Sequence, residues 1–201
     1  MIHRRRFIQI SAAAFVLQAP AKAAEVYRWQ GMALGARASI RLAHPDAASI
    51  VARAQAEITR LETIFSLYRP GSAIVRLNGS GRLENPPFEL LECLSLAGTV
   101  HHATEGRFDP TVQNLWRAHA NAAAEGRSLT DAERAEALFL TGWDGVTLSA
   151  DAITLRQGMA LTLNGIAQGY IADRVAVLMK AEGLNDVLID TGELRAIGNR
   201  P

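Results

Sequence analysis

Three short segments combine glycine, small polar residues and an adjoining helix or strand, an arrangement that lets a ligand reach the backbone. The first is residues 163–170 (LNGIAQGY), which lead into a predicted helix. Free N–H groups at a helix N-terminus favour anions such as phosphate, and glycine permits close approach to the main chain. From these residues alone, a phosphate site and ordinary packing of a helix on a sheet both remain open.

The second segment is residues 106–112 (GRFDPTV), where an arginine, an aromatic ring and a carboxylate follow a predicted helix end. Arg107 can pair with a phosphate, and Phe108 can pack against a planar ring. Alternatively, Phe108 and Val112 fill the core while Asp109 starts a turn before proline. The sequence leaves both interpretations open.

The third segment is residues 65–68 (FSLY), in the predicted loop after the first helix, with Ser72 and Asn78 downstream. Tyr68 can stack on an aromatic ligand, or it can hold the loop against the core. Local pattern does not separate these roles.

Other chemistry finds little support in the sequence. His101 and His102 are adjacent and point about 100° apart on a helix, so they do not both face one metal. No Walker loop, dinucleotide-binding G-x-G-x-x-G, C-x-x-C or G-x-S-x-G elbow occurs. The near balance of 21 Lys and Arg against 20 Asp and Glu shows no nucleic-acid footprint. Cys93, the single cysteine, lies in an apolar run and is predicted to be a small buried hydrophobe.

The N-terminal residues have the anatomy of an export signal. Arginines at positions 4 and 5 open a twin-arginine pattern, an apolar run follows at 7–17, and 21–23 (AKA) fits a cleavage site. The apolar run is too short to cross about 30 Å of hydrocarbon. We therefore expect a twin-arginine signal at 1–23, a periplasmic domain at 24–201 and no stable membrane anchor after cleavage.

Hydrophobic periodicity and turn residues predict one domain of the α/β (α+β) class that positions these segments. In the first half of the chain, the pattern predicts a hairpin within 27–42, a helix from 45 to about 65, a loop over 66–85 with at most one helical turn at 73–77, and a helix from 86 to about 104. An Ala-rich polar stretch up to 130 is interpreted as an exposed insert, and a capping box at 130–133 opens a short helix. The pattern then predicts a hairpin of 146–148 and 153–155, a short strand at 161–163, a helix from about 165 to 182 that Asn164 caps and Gly183 ends, and strands at 187–190 and 194–197.

Taken together and in order, five segments resemble the ApbE family of FAD:protein FMN transferases. The family pattern runs M-G-T, F-S-x-Y, G-x-F-D-P-T-V, G-x-A-K-G-Y and D-x-G-G-E. The corresponding residues in this chain are Leu34-Gly35-Ala36, 65–68, 106–112, 165–170 and 190–193.

The resemblance implies a flavin-transferase fold, with a mixed sheet flanked by helices, and a reaction. FAD binds with Mg²⁺, AMP leaves, and FMN passes to a Thr or Ser hydroxyl of an acceptor flavoprotein in the periplasm. Gly165 matches the position that offers a backbone oxygen to Mg²⁺. The residues that match the family's FAD contacts are Leu34, Tyr68, Arg107, Phe108, Asp109, Thr162 and Gln168.

The sequence also departs from the family pattern. Leu34 replaces Met, Thr162 replaces a frequent Asp, Gln168 replaces a frequent Lys, and the last motif has lost one glycine. These variants and the export signal are most similar to the NosX-type branch, which supports maturation of nitrous oxide reductase.

The family's T-S-G and H-x-x-D-P-x-T-G segments, which carry metal ligands and a candidate base, have no counterpart before Pro201. The catalytic residues are therefore expected beyond Pro201, and the chain is expected to be an N-terminal portion. Two alternatives remain, a non-catalytic flavin-binding accessory protein and a periplasmic binder of another small ligand.

Overall fold

The computed structural model describes residues 26–184, 186–190, 192 and 194–198. The predicted export signal at 1–23 and its cleavage site lie outside these residues. In the described residues the secondary structure elements are, in order, β1 (Tyr27–Ala33), β2 (Ala36–Leu42), α1 (Ala47–Phe65), α2 (Ala73–Ser80), β3 (Arg82–Glu84), α3 (Phe88–Ala103), α4 (Gln113–Ala124), α5 (Asp131–Phe139), a 3₁₀ turn (Trp143–Gly145), β4 (Val146–Leu148), β5 (Ala152–Leu155), α6 (Ala167–Ala181), β6 (Val187–Asp190) and β7 (Leu194–Ile197).

The larger sheet has the strand order β1-β2-β6-β7, and each of its pairings is antiparallel. Ser39 pairs with Asp190 and Leu42 with Val187. Because β2 and β6 run in opposite directions, the end of β6 lies on the same side as the turn between β1 and β2. The β1–β2 turn and the end of β6 therefore lie at the same end of the sheet.

Helices α1 and α6 contact each other and the larger sheet. On α1, apolar residues three and four positions apart are buried, as expected for a helix with one face on a core. The core of this layer includes Ile40, Leu42, Ile50, Leu61, Val175, Met179 and Ile189. The predicted α1 is confirmed because this stripe is continuous along 19 residues.

The smaller sheet has the order β3-β5-β4 and lies against α2. The predicted hairpin of β4 and β5 is confirmed, with Leu148 paired to Ile153. The predicted capping box is also present, since Thr130 Oγ1 accepts from the Glu133 backbone N–H and the Glu133 carboxylate accepts from that of Thr130. Helix α3 and the end of α6 near Gly183 likewise agree with the predictions.

The prediction of a loop with at most one helical turn over residues 66–85 was wrong. Helix α2 extends over eight residues, and β3 follows it. Ser72 Oγ accepts a hydrogen bond from Val75 N at 3.2 Å, which caps the helix, while Ile74 and Leu77 are fully buried. Capping and burial together stabilise a helix that the polar composition of this segment conceals.

The stretch before residue 130, interpreted as an exposed insert, contains helix α4, which was not predicted from the sequence. Alanine has the highest helix propensity, so a run of alanines forms a helix with only a narrow apolar face. Asn114 and Ala122 are its buried residues.

Residues 161–163 do not form the predicted strand. The amide of Asn78 takes the place of a neighbouring strand, because Asn78 Nδ2 donates to Leu161 O (2.9 Å) and Asn78 Oδ1 accepts from Leu161 N (2.8 Å). Asn164 does not cap α6 either, since the N-cap position is Ile166. Among the helices of the described residues, none is both long enough and apolar enough to span a bilayer.

Candidate functional site

The turn between β1 and β2 lies against the end of α1. Leu34 and Gly35 have φ angles of 49° and 81°, as in a two-residue type I′ hairpin turn. The Leu34 N–H donates to Glu62 Oε1 at 2.8 Å. A Cβ atom placed on Gly35 would lie 3.7 Å from Tyr68 Cε2. Tyr68 is 66% exposed, so its ring lies on this turn and not in the core.

The loop after α3 is held by polar contacts of its own. The Phe108 N–H donates to Thr104 Oγ1 (3.1 Å), and the Phe108 carbonyl accepts from His101 Nδ1 (2.9 Å). Asp109 Oδ1 accepts from both the backbone N–H and the hydroxyl of Thr111, at 2.8 and 2.6 Å. The carboxylate of Asp109 thus starts a turn, as one of the two sequence interpretations proposed.

Arg107 lies apart from these contacts. Its side chain is 78% exposed, and Nη1 lies 3.3 Å from Glu105 Oε2 and 3.3 Å from the Thr104 carbonyl. The guanidinium is therefore paired within its own loop, on the solvent side of the segment.

Phe108 joins this loop to the segment that enters α6. A Cβ atom placed on Gly165 would lie 3.2 Å from Phe108 Cε2, so the half-buried ring packs directly on the Gly165 backbone. The Thr162 N–H donates to the Pro110 carbonyl at 2.8 Å, and Thr162 Oγ1 accepts from Asn164 N at 3.3 Å. Two of the three segments singled out in the sequence are thus in contact.

The first turn of α6 contacts the end of β6. The N-cap residue Ile166 has an apolar side chain, which cannot accept a hydrogen bond from the first N–H groups of the helix. A Cβ atom on Gly192 would lie 2.8 Å from Gln168 Oε1, so the Gln168 side chain fills the space beside Gly192. Gly192 has a φ of 92° and donates its N–H to Asp190 Oδ1 at 3.0 Å. Thr191 and Glu193 of this motif lie outside the described residues.

Two further features bring these contacts to the same end of the larger sheet. Phe65, at the end of α1, packs edge-on against Tyr170 of α6, with ring centroids 5.3 Å apart. The Ser39–Asp190 pairing places the end of β6 on the side of the β1–β2 turn. The hairpin turn, the Tyr68 loop, the Phe108 loop and the start of α6 are therefore neighbours.

Tyr170 also ties α6 to α3. Its hydroxyl donates to the carboxylate of Glu92. Burial, together with this hydrogen bond to the carboxylate, raises the pKa of Tyr170 above its usual value. The phenol stays protonated and keeps the start of α6 in place.

A metal ion needs several ligand atoms that lie close together. In the portions of the chain that the structure describes, no group of three or more His, Cys, Asp or Glu side chains could hold one. Mg²⁺ typically binds through one or two carboxylates together with substrate phosphates, and a backbone oxygen such as that of Gly165 is a suitable hard ligand. The described side chains do not form a metal cage by themselves, so Mg²⁺ stays a prediction.

The sequence model of the ApbE family matches residues 34–201, which include all five motif segments. The chain belongs to the ApbE family. A curated relative, the FAD:protein FMN transferase of Klebsiella pneumoniae (strain 342), is 30% identical over 176 residues, covering 83% of this chain and 54% of the relative. The chain therefore spans about half the length of this relative.

Solved structures of the family show the same fold. The apo form of the Pseudomonas stutzeri flavinyl transferase ApbE aligns with a TM-score of 0.79 at 24% identity, over 88% of this chain and 59% of the other. The ApbE protein of Thermotoga maritima aligns with a TM-score of 0.78 at 24% identity, over 87% and 59%. The predicted α/β (α+β) flavin-transferase fold with helices beside its sheets is confirmed. The pairings among the described strands are antiparallel and divide between two sheets.

Two polar residues at the site were not identified from the sequence. Glu62 contacts the N–H of Leu34, 28 positions away, and no local pattern indicates such a partner. His101 was considered only as a metal ligand, whereas its Nδ1 lies on the Phe108 carbonyl seven positions later. A histidine in the last turn of a helix that leads into a motif loop is the one signal that could have indicated this role.

Proposed function

We propose that this protein functions as an FAD:protein FMN transferase, and that the described residues form its flavin-binding part. The observation that carries the proposal is the meeting of five motif segments at one end of the larger sheet, through Tyr68 on Gly35, Phe108 on Gly165 and Gln168 on Gly192. Family membership and the Klebsiella pneumoniae relative support the activity. Because the chain spans about half of that relative, the activity is proposed for the whole protein.

In the proposed reaction, a P–O bond of the FAD pyrophosphate breaks and AMP leaves. The FMN phosphorus forms a new bond to a Thr or Ser oxygen of the acceptor protein, which loses its hydroxyl proton. The protein mainly positions the reactants in such a transfer. The positive dipole end of α6, next to Gly165, would face the pyrophosphate.

The aromatic residues would hold the ring systems of FAD. Tyr68 presents most of its ring to solvent beside Gly35, and Phe108 lies over Gly165. We propose that Leu34, Thr162 and Gln168 border the bound FAD. Asp109 would hold the Phe108 loop in place. The Arg107 side chain is mostly exposed, so it can rotate from Glu105 towards a phosphate.

We further propose Mg²⁺ as the metal, with the Gly165 carbonyl among its oxygen ligands. When bound, Mg²⁺ would neutralise charge on the pyrophosphate. The remaining ligands and the catalytic base are proposed to lie outside residues 1–201.

The cellular setting is proposed from the sequence alone. The twin-arginine pattern supports export to the periplasm, and the Gly-Ile-Ala-Gln-Gly-Tyr variant supports the NosX-type branch and an exported acceptor flavoprotein. Gln168 also motivates a second candidate, a flavin-binding accessory protein without transferase activity, because Gln cannot carry the charge of the usual Lys.

A transfer assay tests the proposal. The chain, and a longer form that includes the H-x-x-D-P-x-T-G segment, are mixed with FAD, Mg²⁺ and an acceptor domain, and covalent flavin fluorescence is sought in a denaturing gel. Phe108→Ala should abolish FAD binding and labelling. Phe88→Ala, at the opposite end of α3 and 69% exposed, is the matched control and should leave both unchanged.

Each outcome has one interpretation. Labelling by the longer form supports the transferase. FAD binding by both forms without labelling by either favours the accessory protein. If neither form binds FAD, both the transferase and the accessory function are refuted.

A further inference from the structure

We infer that Glu62 is a positioning residue for the flavin, which sets where the β1–β2 turn and Tyr68 lie relative to each other. This inference rests on the proposed function and adds a residue that the family motifs do not include. Glu62 itself lies behind these two groups and does not need to touch the ligand.

The position of Glu62 is fixed by the core. It lies in the last turn of α1, between the buried residues Leu61 and Phe65, which are 0% and 2% exposed. The helix backbone therefore cannot shift without disturbing core packing. A carboxylate held at this point gives the β1–β2 turn and the loop after α1 a contact whose position is fixed.

The two oxygens of this carboxylate face two different segments. Oε1 accepts the hydrogen bond from Leu34 N at 2.8 Å, in the turn between β1 and β2. Oε2 lies 3.8 Å from Nη1 of Arg69, the residue directly after Tyr68. One side chain thus contacts both sides of the place where Tyr68 lies on Gly35.

The turn needs such a partner. A leucine with a φ of 49° is in the left-handed region, which is unfavourable for residues other than glycine. The N–H of the first central residue in a type I′ turn points away from the hairpin's own ladder, so its partner must come from elsewhere. Glu62 supplies that acceptor at 2.8 Å.

Three variants separate positioning from general stability. In Glu62→Gln the amide oxygen can still accept from Leu34 N, whereas Glu62→Ala removes the acceptor. Glu57→Ala is the matched control, because Glu57 is also on α1, also pairs with an arginine and has a similar side-chain exposure, 19% against 24%.

We expect Glu62→Ala to weaken FAD binding about tenfold, because the Leu34 N–H loses its acceptor. Glu62→Gln and Glu57→Ala should stay within about twofold of wild type. FAD affinity is measured by fluorescence titration of the full chain, and thermal unfolding is recorded for each variant. Equal FAD affinity of wild type and Glu62→Ala would overturn the inference, as would a loss in Glu62→Ala that Glu62→Gln does not restore.

Hydrogen exchange of the Leu34 amide, followed by NMR, gives a readout independent of FAD. The amide should be protected in wild type, Glu57→Ala and Glu62→Gln, and should exchange faster in Glu62→Ala. Wild type that binds no FAD would count against the proposed function. In that case the Leu34 amide alone decides whether Glu62 positions the turn, and unchanged protection in Glu62→Ala would refute it.

Discussion

Asn78→Ala should destabilise the protein far more than the loss of a half-buried polar side chain on a helix normally does. Asn78 provides both hydrogen-bond partners of Leu161, a residue with 0% exposure. Without the amide, the N–H and the carbonyl of Leu161 lose their partners in the core. The segment that leads to Thr162 and Gly165 then loses its attachment to α2.

The size of the effect follows from these two bonds. A buried polar group left without a partner costs about 1–3 kcal/mol. Two such groups, with some access for water because Asn78 is half-buried, give a loss of about 2–4 kcal/mol in the free energy of unfolding. In a domain of this size that corresponds to a decrease in Tm of roughly 5–15 °C.

Urea and thermal unfolding measure this loss, with Asn121→Ala as the control. Asn121 is exposed near the end of α4, as Asn78 is near the end of α2, so both substitutions gain similar helix propensity. FAD affinity should fall in Asn78→Ala and stay unchanged in Asn121→Ala. If the two variants unfold within about 0.5 kcal/mol of each other, the amide does not replace a strand partner and the reasoning is wrong.

Three further predictions concern Gly165, Cys93 and Tyr170. Gly165→Ala places a Cβ 3.2 Å from Phe108 Cε2, so the ring must shift. FAD affinity, measured by fluorescence titration, should fall, and the free energy of unfolding should decrease by about 1 kcal/mol or less. Unchanged affinity would argue against Phe108 as a ligand contact. Burial raises the pKa of the Cys93 thiol from 9.0 to about 12. Iodoacetamide should therefore not label the folded chain at pH 8, as checked by intact mass. The free energy of unfolding should also decrease as the pH rises from 9 towards 12, because only the unfolded thiol ionises there; prompt labelling, or the same decrease in Cys93→Ala, would contradict this. Tyr170→Phe loses the hydrogen bond to Glu92 and should cost about 1 kcal/mol in urea unfolding. Since the pKa of Tyr170 is raised, wild type should lose stability above about pH 10 to a greater extent than Tyr170→Phe, and parallel pH profiles would refute the assignment.

Elements with a strong local signal were predicted correctly from the sequence. The spacing of buried residues along α1 and the capping box of Thr130 and Glu133 are examples, since each depends only on residues within a few turns. The β1–β2 hairpin is similar, because its two-residue turn joins adjacent strands. The motif segments were also visible, and their family was confirmed.

Two of the missed features have the same physical cause, which is that the deciding partner lies far away in the chain. Residues 161–163 have the composition of a strand, but Asn78, 83 positions earlier, takes the partner's place. The contact of Phe108 with Gly165 likewise arises only in the folded protein, and local pattern cannot show it. Helix α4 escaped prediction for another reason, because alanine gives helix propensity without an apolar stripe.

The pairing of β2 with β6 has a consequence for the time that folding takes. These neighbours in the larger sheet come from opposite ends of the described chain, and a ribosome adds about 5–20 residues per second. Helix α1, made directly after the first hairpin, contacts it early, but α6 and β6 complete the layer around Ile40 and Leu42 only on the order of ten seconds later. During synthesis this hairpin is the surface on which a chaperone would act, and Ile40→Asp should reduce the yield of folded protein more strongly than an equivalent change in the late-made strand β7.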